Sequence, residues 1–226
     1  MTPQPDPLGA PPPAGREPMF NLPPGTLWLG LAMVAVFALQ SLLGGRALHW
    51  LFANLAFIST VFWPPGAAGP TLHGIVTLVT HAFLHADLVH LGLNLGFLLA
   101  FGSFVERHLG TARYLLLFAL TAAAGALAEY AFRDVEPLAL IGASGAVYGM
   151  TGAAMRYMFA GGGAARRRGA LVFVGVFLGL NLVLGVTGLG DFLAGAAIGW
   201  KAHAGGFLAG ALLYVLLGGR PGPRPA

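Results

Sequence analysis

The chain has 226 residues, 57% of them hydrophobic and only 9% charged; soluble domains carry about 25% charged residues, so this is a membrane protein. Its net charge of +4 and pI near 10.0 do not signal nucleic acid, because the 12 basic residues are scattered between apolar runs and form no basic face. There is no cysteine, which excludes disulfides, cysteine-ligated zinc and thiol catalysis.

Residues 1–25 are rich in proline and glycine, with Pro11, Pro12, Pro13, Pro23 and Pro24. They lack the basic start, short apolar stretch and cleavage site of a signal peptide, and they read as a disordered tail. Six apolar runs follow, near the length of about 20 residues that a spanning helix needs. They are Thr26–Leu43, Leu88–Val105, Tyr114–Phe132, Ile141–Ala160, Ala170–Leu189 and Ala202–Leu217. The expected fold is therefore an all-α membrane protein, a six-helix domain over residues 26–217 with a short tail at 218–226. Breaks fall at Glu106-Arg107-His108, at Arg133 to Pro137 and at Arg166-Arg167-Arg168.

The stretch from Gly44 to Asp87 is the odd part. Leu51–Trp63 is apolar but short, interrupted by Asn54, Ser59 and Thr60, and bracketed by Trp50 and Trp63. Interfacial tryptophans suggest that it lies in or dips into the membrane surface; a seventh span is the alternative. Lysine and arginine set the orientation. With six spans and an inside N-terminus, the inside segments hold Arg16, Arg107, Arg113, Arg166, Arg167, Arg168, Arg220 and Arg224. The outside segments hold Arg46, Arg133 and Lys201, and Arg156 falls in the fourth run. Both termini are expected in the cytoplasm, with Ser144 entering the membrane from the outer face. The arginine triplet reads as a topology anchor.

Polar residues near the starts of three runs carry the chemistry. Ser144 sits in Gly142-Ala143-Ser144-Gly145, with Tyr148 one turn on and Gly149 and Gly152 stripping the helix of bulk. His90 and Asn94, four apart, share a face and can both donate hydrogen bonds. His203 lies just inside the last run, where scarce water favours the neutral ring a general base requires, and Gly206 and Gly210 follow it as a small-residue face. Each feature alone is respectably read as packing, and for Ser144 composition alone favours it: a small-residue helix, an interhelical amide, a satisfied buried histidine. Together they share one outer depth, as a common site needs.

These motifs resemble the rhomboid intramembrane serine proteases. The likeness rests on Gly142-Ala143-Ser144-Gly145 with Tyr148, on His90-Leu91-Gly92-Leu93-Asn94, and on Ala202-His203 with Gly206 and Gly210. Thr80-His81-Ala82-Phe83-Leu84-His85 and Glu106 with Gly110 also fit, so the resemblance runs from about Thr26 to Leu217. It implies a dyad with Ser144 as nucleophile and His203 as base. It also implies an oxyanion hole from His90, Asn94 and the Ser144 N–H, a Tyr148 that packs on His203, and a first loop embedded in the membrane. Substrates would be single-span or multi-span membrane proteins, cut near the outer face of a bacterial cytoplasmic membrane without cofactor or metal. A Trp-Arg pair common in the first loop of bacterial members is absent; Arg46 and His49-Trp50 stand there instead.

Other readings compete. His81, His85 and His90 have spacings that could hold zinc, but Asp87 is the only carboxylate near them, and His81 and His85 are expected to bond backbone. The Gly-x-Ser-x-Gly elbow of soluble hydrolases is broken by Ala146. A transporter would bury charges, for which Glu129 and Arg156 are the candidates. An inactive rhomboid-like escort protein would lack the serine or the histidine, and this chain has both. No carboxylate is evident to orient His203; Asp191 is nearest in sequence and is given no role.

Overall fold

A computed structural model of the chain describes residues 22–161, 163–187 and 199–219. Most of the expected first tail, the end of the last one, Asp191 and the end of the fifth run lie outside the described residues. The described residues are mostly helical. Helix α1 spans Pro24–Leu42, and the following segment folds as α2 (Gly45–Leu55), a two-residue strand β1 (Phe57–Ile58), α3 (Ser59–Phe62) and α4 (Leu72–Thr80). Helices α5 (Leu88–Phe97) and α6 (Ser103–Leu109) are joined through a π turn, Leu98–Gly102, into one apolar stretch of 22 residues. Then come α7 (Thr111–Ala131), strand β2 (Ala139–Leu140), α8 (Ser144–Gly161), α9 (Ala164–Val186) and α10 (Trp200–Leu216).

Among the described residues, four stretches are long and apolar enough to cross a membrane: Pro24–Leu42, Leu88–Leu109, Thr111–Ala131 and Ala164–Val186. Their outward sides carry what a lipid environment asks for, with Trp28, Leu31 and Val34 on α1 and Leu171, Val172, Val176, Leu180 and Val183 on α9 all exposed. Helix α8 is different. Its stretch from Gly145 through Met155 is buried except for half-buried Tyr148, and it packs against α7, α9 and α10 as the central element of the bundle.

Two helix starts differ from the sequence expectation. The fourth run was expected from Ile141, but the helix starts at Ser144, because Gly142 adopts φ +106 and turns the chain. The fifth helix starts earlier than Ala170, so the arginine triplet lies in its first turns instead of before them. The Gly44–Asp87 segment is broken into short helices, the longest apolar one being Leu72–Phe83, which is too short to span.

Hydrogen bonds tie these pieces together. Strand β1 pairs antiparallel with β2, Phe57 opposite Leu140 and Ile58 opposite Ala139, so the segment before the second span is stitched to the loop that leads into α8. Ser59 adds to this seam by accepting from the Leu138 N–H at 2.9 Å and bonding Glu136. Glu106, only 3% exposed, accepts from the Gly25 and Thr26 amides at 2.8 and 2.7 Å and from the Thr26 and Thr111 hydroxyls, each at 2.8 Å. A carboxylate at a helix N-terminus is favoured by the unpaired amides and the dipole there. One buried charge thereby anchors the start of α1.

Candidate active site

Ser144 is the first residue of α8, and the Ala143 carbonyl already accepts the Val147 amide at 2.9 Å. The amides of Ser144 and the next residues are therefore among the unpaired donors of a helix N-terminus. Two features of Gly142 fix this entrance. Its left-handed φ of +106 favours glycine, and a Cβ there would lie 2.6 Å from Cε1 and Nε2 of His90. The His81 carbonyl accepts the Gly142 amide at 2.9 Å and pins the turn from the other side.

His203 lies in the first turn of α10, and its Nε2 sits 2.8 Å from the Ser144 Oγ. The Tyr148 ring stacks on the imidazole, centroids 4.2 Å apart and planes 10° from parallel, and Phe177 of α9 stacks on Tyr148 at 4.5 Å. Both Ser144 and His203 are half-buried, so the pair is sheltered but reachable. An imidazole in this position can take the hydroxyl proton as the oxygen attacks.

Glycine allows the approach. A Cβ on Gly206 would lie 2.0 Å from the Gly145 carbonyl oxygen, and one on Gly210 would lie 1.9 Å from that of Gly149. Gly145 itself has ordinary contacts, its Cβ position 3.5 Å from the Gly125 Cα of α7 and 3.6 Å from the Ala202 oxygen. Three helices thus meet backbone to backbone, by the small-residue packing that membranes favour.

The two expected donors come from α5. Asp87 caps that helix by accepting the His90 amide at 2.8 Å. The His90 Nδ1 accepts the Ala86 amide at 3.4 Å, which leaves Nε2 as the N–H side, against Gly142. Asn94 is buried and gives one amide hydrogen to the His90 carbonyl at 2.9 Å, keeping a second available. The structure thus brings Ser144, His203, Tyr148, Gly142 and His90 to one place, with Asn94 one turn deeper on α5.

Sequence reasoning missed three partners. Asn181 of α9 meets His203 Nδ1 through its Oδ1 at 2.5 Å; as a buried amide in an apolar run it carried a legible signal. Its Nδ2 donates to the Trp200 carbonyl at 3.1 Å. Glu129 of α7 accepts the Ala202 amide at 2.8 Å and so caps α10 next to the histidine. Lys201 bonds Asp134 and the Phe132 carbonyl on the same rim.

His81 and His85 divide. The His81 ring bonds the Thr77 carbonyl at 3.0 Å, but neither ring nitrogen of His85 finds a partner among the described residues. It is the His85 backbone that is held, by both ends of the Gln40 amide. No cluster of metal-ligating side chains gathers among the described residues. Burial pushes both imidazoles down to about 4. Unfolded, they would titrate near 6.5, so the unfolded chain takes protons first as pH falls. Their contribution to stability is therefore complete above about pH 6.5 and is lost as pH drops toward 4. The thermal unfolding midpoint in detergent should fall over that window, and less steeply in His85→Leu.

Comparison with known proteins yields a consistent set of likenesses. The family described as Rhomboid domain matches residues 73–220. YdcA of Bacillus subtilis strain 168, a candidate rhomboid protease by name, is 36% identical over 114 residues, 47% of this chain and 55% of YdcA. The rhomboid protease GluP of the same organism is 30% identical over 141 residues, 62% of this chain and 26% of GluP. The rhomboid protease GlpG of Yersinia pestis strain Pestoides F is 27% identical over 190 residues, 84% of this chain and 61% of GlpG. The chain thus spans between a quarter and about three fifths of the length of these relatives.

Proposed function

The chain belongs to the rhomboid family, an integral membrane protein by its apolar helices, and on that premise we propose that it is an intramembrane serine endopeptidase. It cuts a peptide bond in or near a transmembrane helix of another membrane protein. The observation that carries the reading is the 2.8 Å contact between His203 Nε2 and Ser144 Oγ, at the start of a central helix.

In this mechanism Ser144 attacks the scissile carbonyl while His203 takes its proton, then returns it to the leaving amine. Water then hydrolyses the acyl-enzyme by the same base. The negative oxygen that forms is met by the Ser144 amide at the N-terminus of α8, by His90 Nε2–H and by the second amide hydrogen of Asn94. Tyr148 and Phe177 stack behind the imidazole and hold its plane. The unit is residues 26–217 with tails at 1–25 and 218–226; α8 and α10 are its fourth and sixth spans, and the Gly44–Asp87 segment is embedded sideways in the outer leaflet. Both termini are cytoplasmic, in a bacterial inner membrane, and the reaction uses no cofactor.

The buried carboxylates weigh against a transporter. Glu106 and Glu129 both accept backbone amides at helix starts, a capping arrangement and not an ion path. A fluorophosphonate probe should label Ser144, and the label should vanish in Ser144→Ala. Labelling elsewhere, or labelling that persists in that variant, would sink the assignment. Asn94→Ala should slow reporter cleavage by about 10²–10³-fold, the cost of one oxyanion donor, with KM little changed.

A further inference from the structure

We infer that Asn181 is a positioning residue that completes a Ser144–His203–Asn181 triad, locking His203 in the tautomer that can act as a base. The inference rests on the dyad reading above. It starts from a group with no ambiguity, the Trp200 carbonyl, which can only accept. The Asn181 amide nitrogen must therefore face it, as the 3.1 Å contact has it, and Oδ1 must face His203. An amide oxygen also only accepts, so the hydrogen of that 2.5 Å contact belongs to His203 Nδ1. Nε2 is then bare and points its lone pair at the Ser144 hydroxyl 2.8 Å away. One backbone carbonyl thus sets, through an asparagine and an imidazole, the direction of proton transfer from serine.

The surroundings of Asn181 are built for this contact. Helix α9 buries few side chains, and Asn181 is one of them, at 6% exposed. One turn on, Gly185 makes room for the Trp200 ring, where a Cβ would lie 2.4 Å away. One turn back, Phe177 stacks on Tyr148. Residues 177, 181 and 185 share one face of the helix, and all three bear on the histidine or its immediate supports. The amide also stabilises the imidazolium that forms once the proton has moved, without bringing a charge into the membrane.

The groups that face His203 are Ser144 and Tyr148 from α8, Asn181 from α9 and His90 from α5, with Glu129 of α7 behind it on the Ala202 amide. No carboxylate among the described residues bonds its ring, so an introduced one should be visible in the pH profile. The test measures the rate of fluorophosphonate labelling of Ser144 against pH, in the full-length protein reconstituted in liposomes, for wild type, Asn181→Ala and Asn181→Asp. Asn181→Ala should label at least about ten-fold more slowly at the plateau. Asn181→Asp keeps a charged acceptor for Nδ1 but gives up the donor to the Trp200 carbonyl, so it should regain part of the rate and move the acid limb up by about one pH unit or more. A merely structural contact would slow both variants alike and leave the acid limb in place. That result, or wild-type labelling in Asn181→Ala, overturns the triad. Persistent labelling of Ser144→Ala would instead overturn the dyad, so the two failures are distinct.

Discussion

Reporter cleavage should fall by about 10⁴–10⁶-fold in both Ser144→Ala and His203→Ala, and the double variant should be no worse than either alone. Nucleophile and base act as one unit, so removing one forfeits what the other does. Neither change should unfold the protein, because the helices that carry them are joined by glycine contacts lower down, at Gly206 and Gly210. The measurement is cleavage of a single-span reporter in proteoliposomes, with the unfolding midpoint followed in parallel. Undiminished cleavage by folded Ser144→Ala protein would end the serine mechanism.

Gly210→Val should damage the protein by a different route, through its stability. A side chain there has no space, since even its Cβ would fall 1.9 Å from a backbone carbonyl oxygen on α8, which cannot swing aside as a side chain can. The two helices must separate. Overpacking costs about 1–3 kcal/mol where neighbours can yield, and here they yield only by moving a helix. The unfolding midpoint should drop and labelling of Ser144 should weaken, because the 2.8 Å contact to His203 depends on the same approach. Gly175→Ala and Gly179→Ala are the controls. Nothing lies within 4 Å of a Cβ at either position on α9, so both should leave cleavage unchanged and raise helix stability slightly. Equal behaviour of the Gly210 and Gly179 variants would refute the packing account.

Much of this arrangement was legible in the residues. Apolar runs separated by charge clusters marked the helices, and Ser144, His90 and His203 stood out because polar groups near the start of a span need a reason to be there. What could not be read is whatever depends on the third dimension. Gly142 looks helical within an apolar run, and only its φ of +106 and the imidazole of His90 pressed against it explain why α8 begins two residues later. The pairing of Phe57 with Leu140 joins residues that lie far apart in the chain, and no local pattern announces it. Asn181 is legible as an amide in an apolar run, but its pairing with His203 is not, since the two lie on different helices and a carboxylate is the more usual partner of such a histidine.

Glu106 has a consequence for how the chain is made. The amides of Gly25 and Thr26 leave the ribosome about eighty residues before the carboxylate that receives them. Synthesis runs from the N-terminus, so α1 enters the bilayer with its first turn unfastened and waits through the whole surface segment and the second helix. Only when Glu106 arrives does the earliest helix acquire its final seat. The first turn of the first helix thus cannot take its final hydrogen bonds until the second helix has been made.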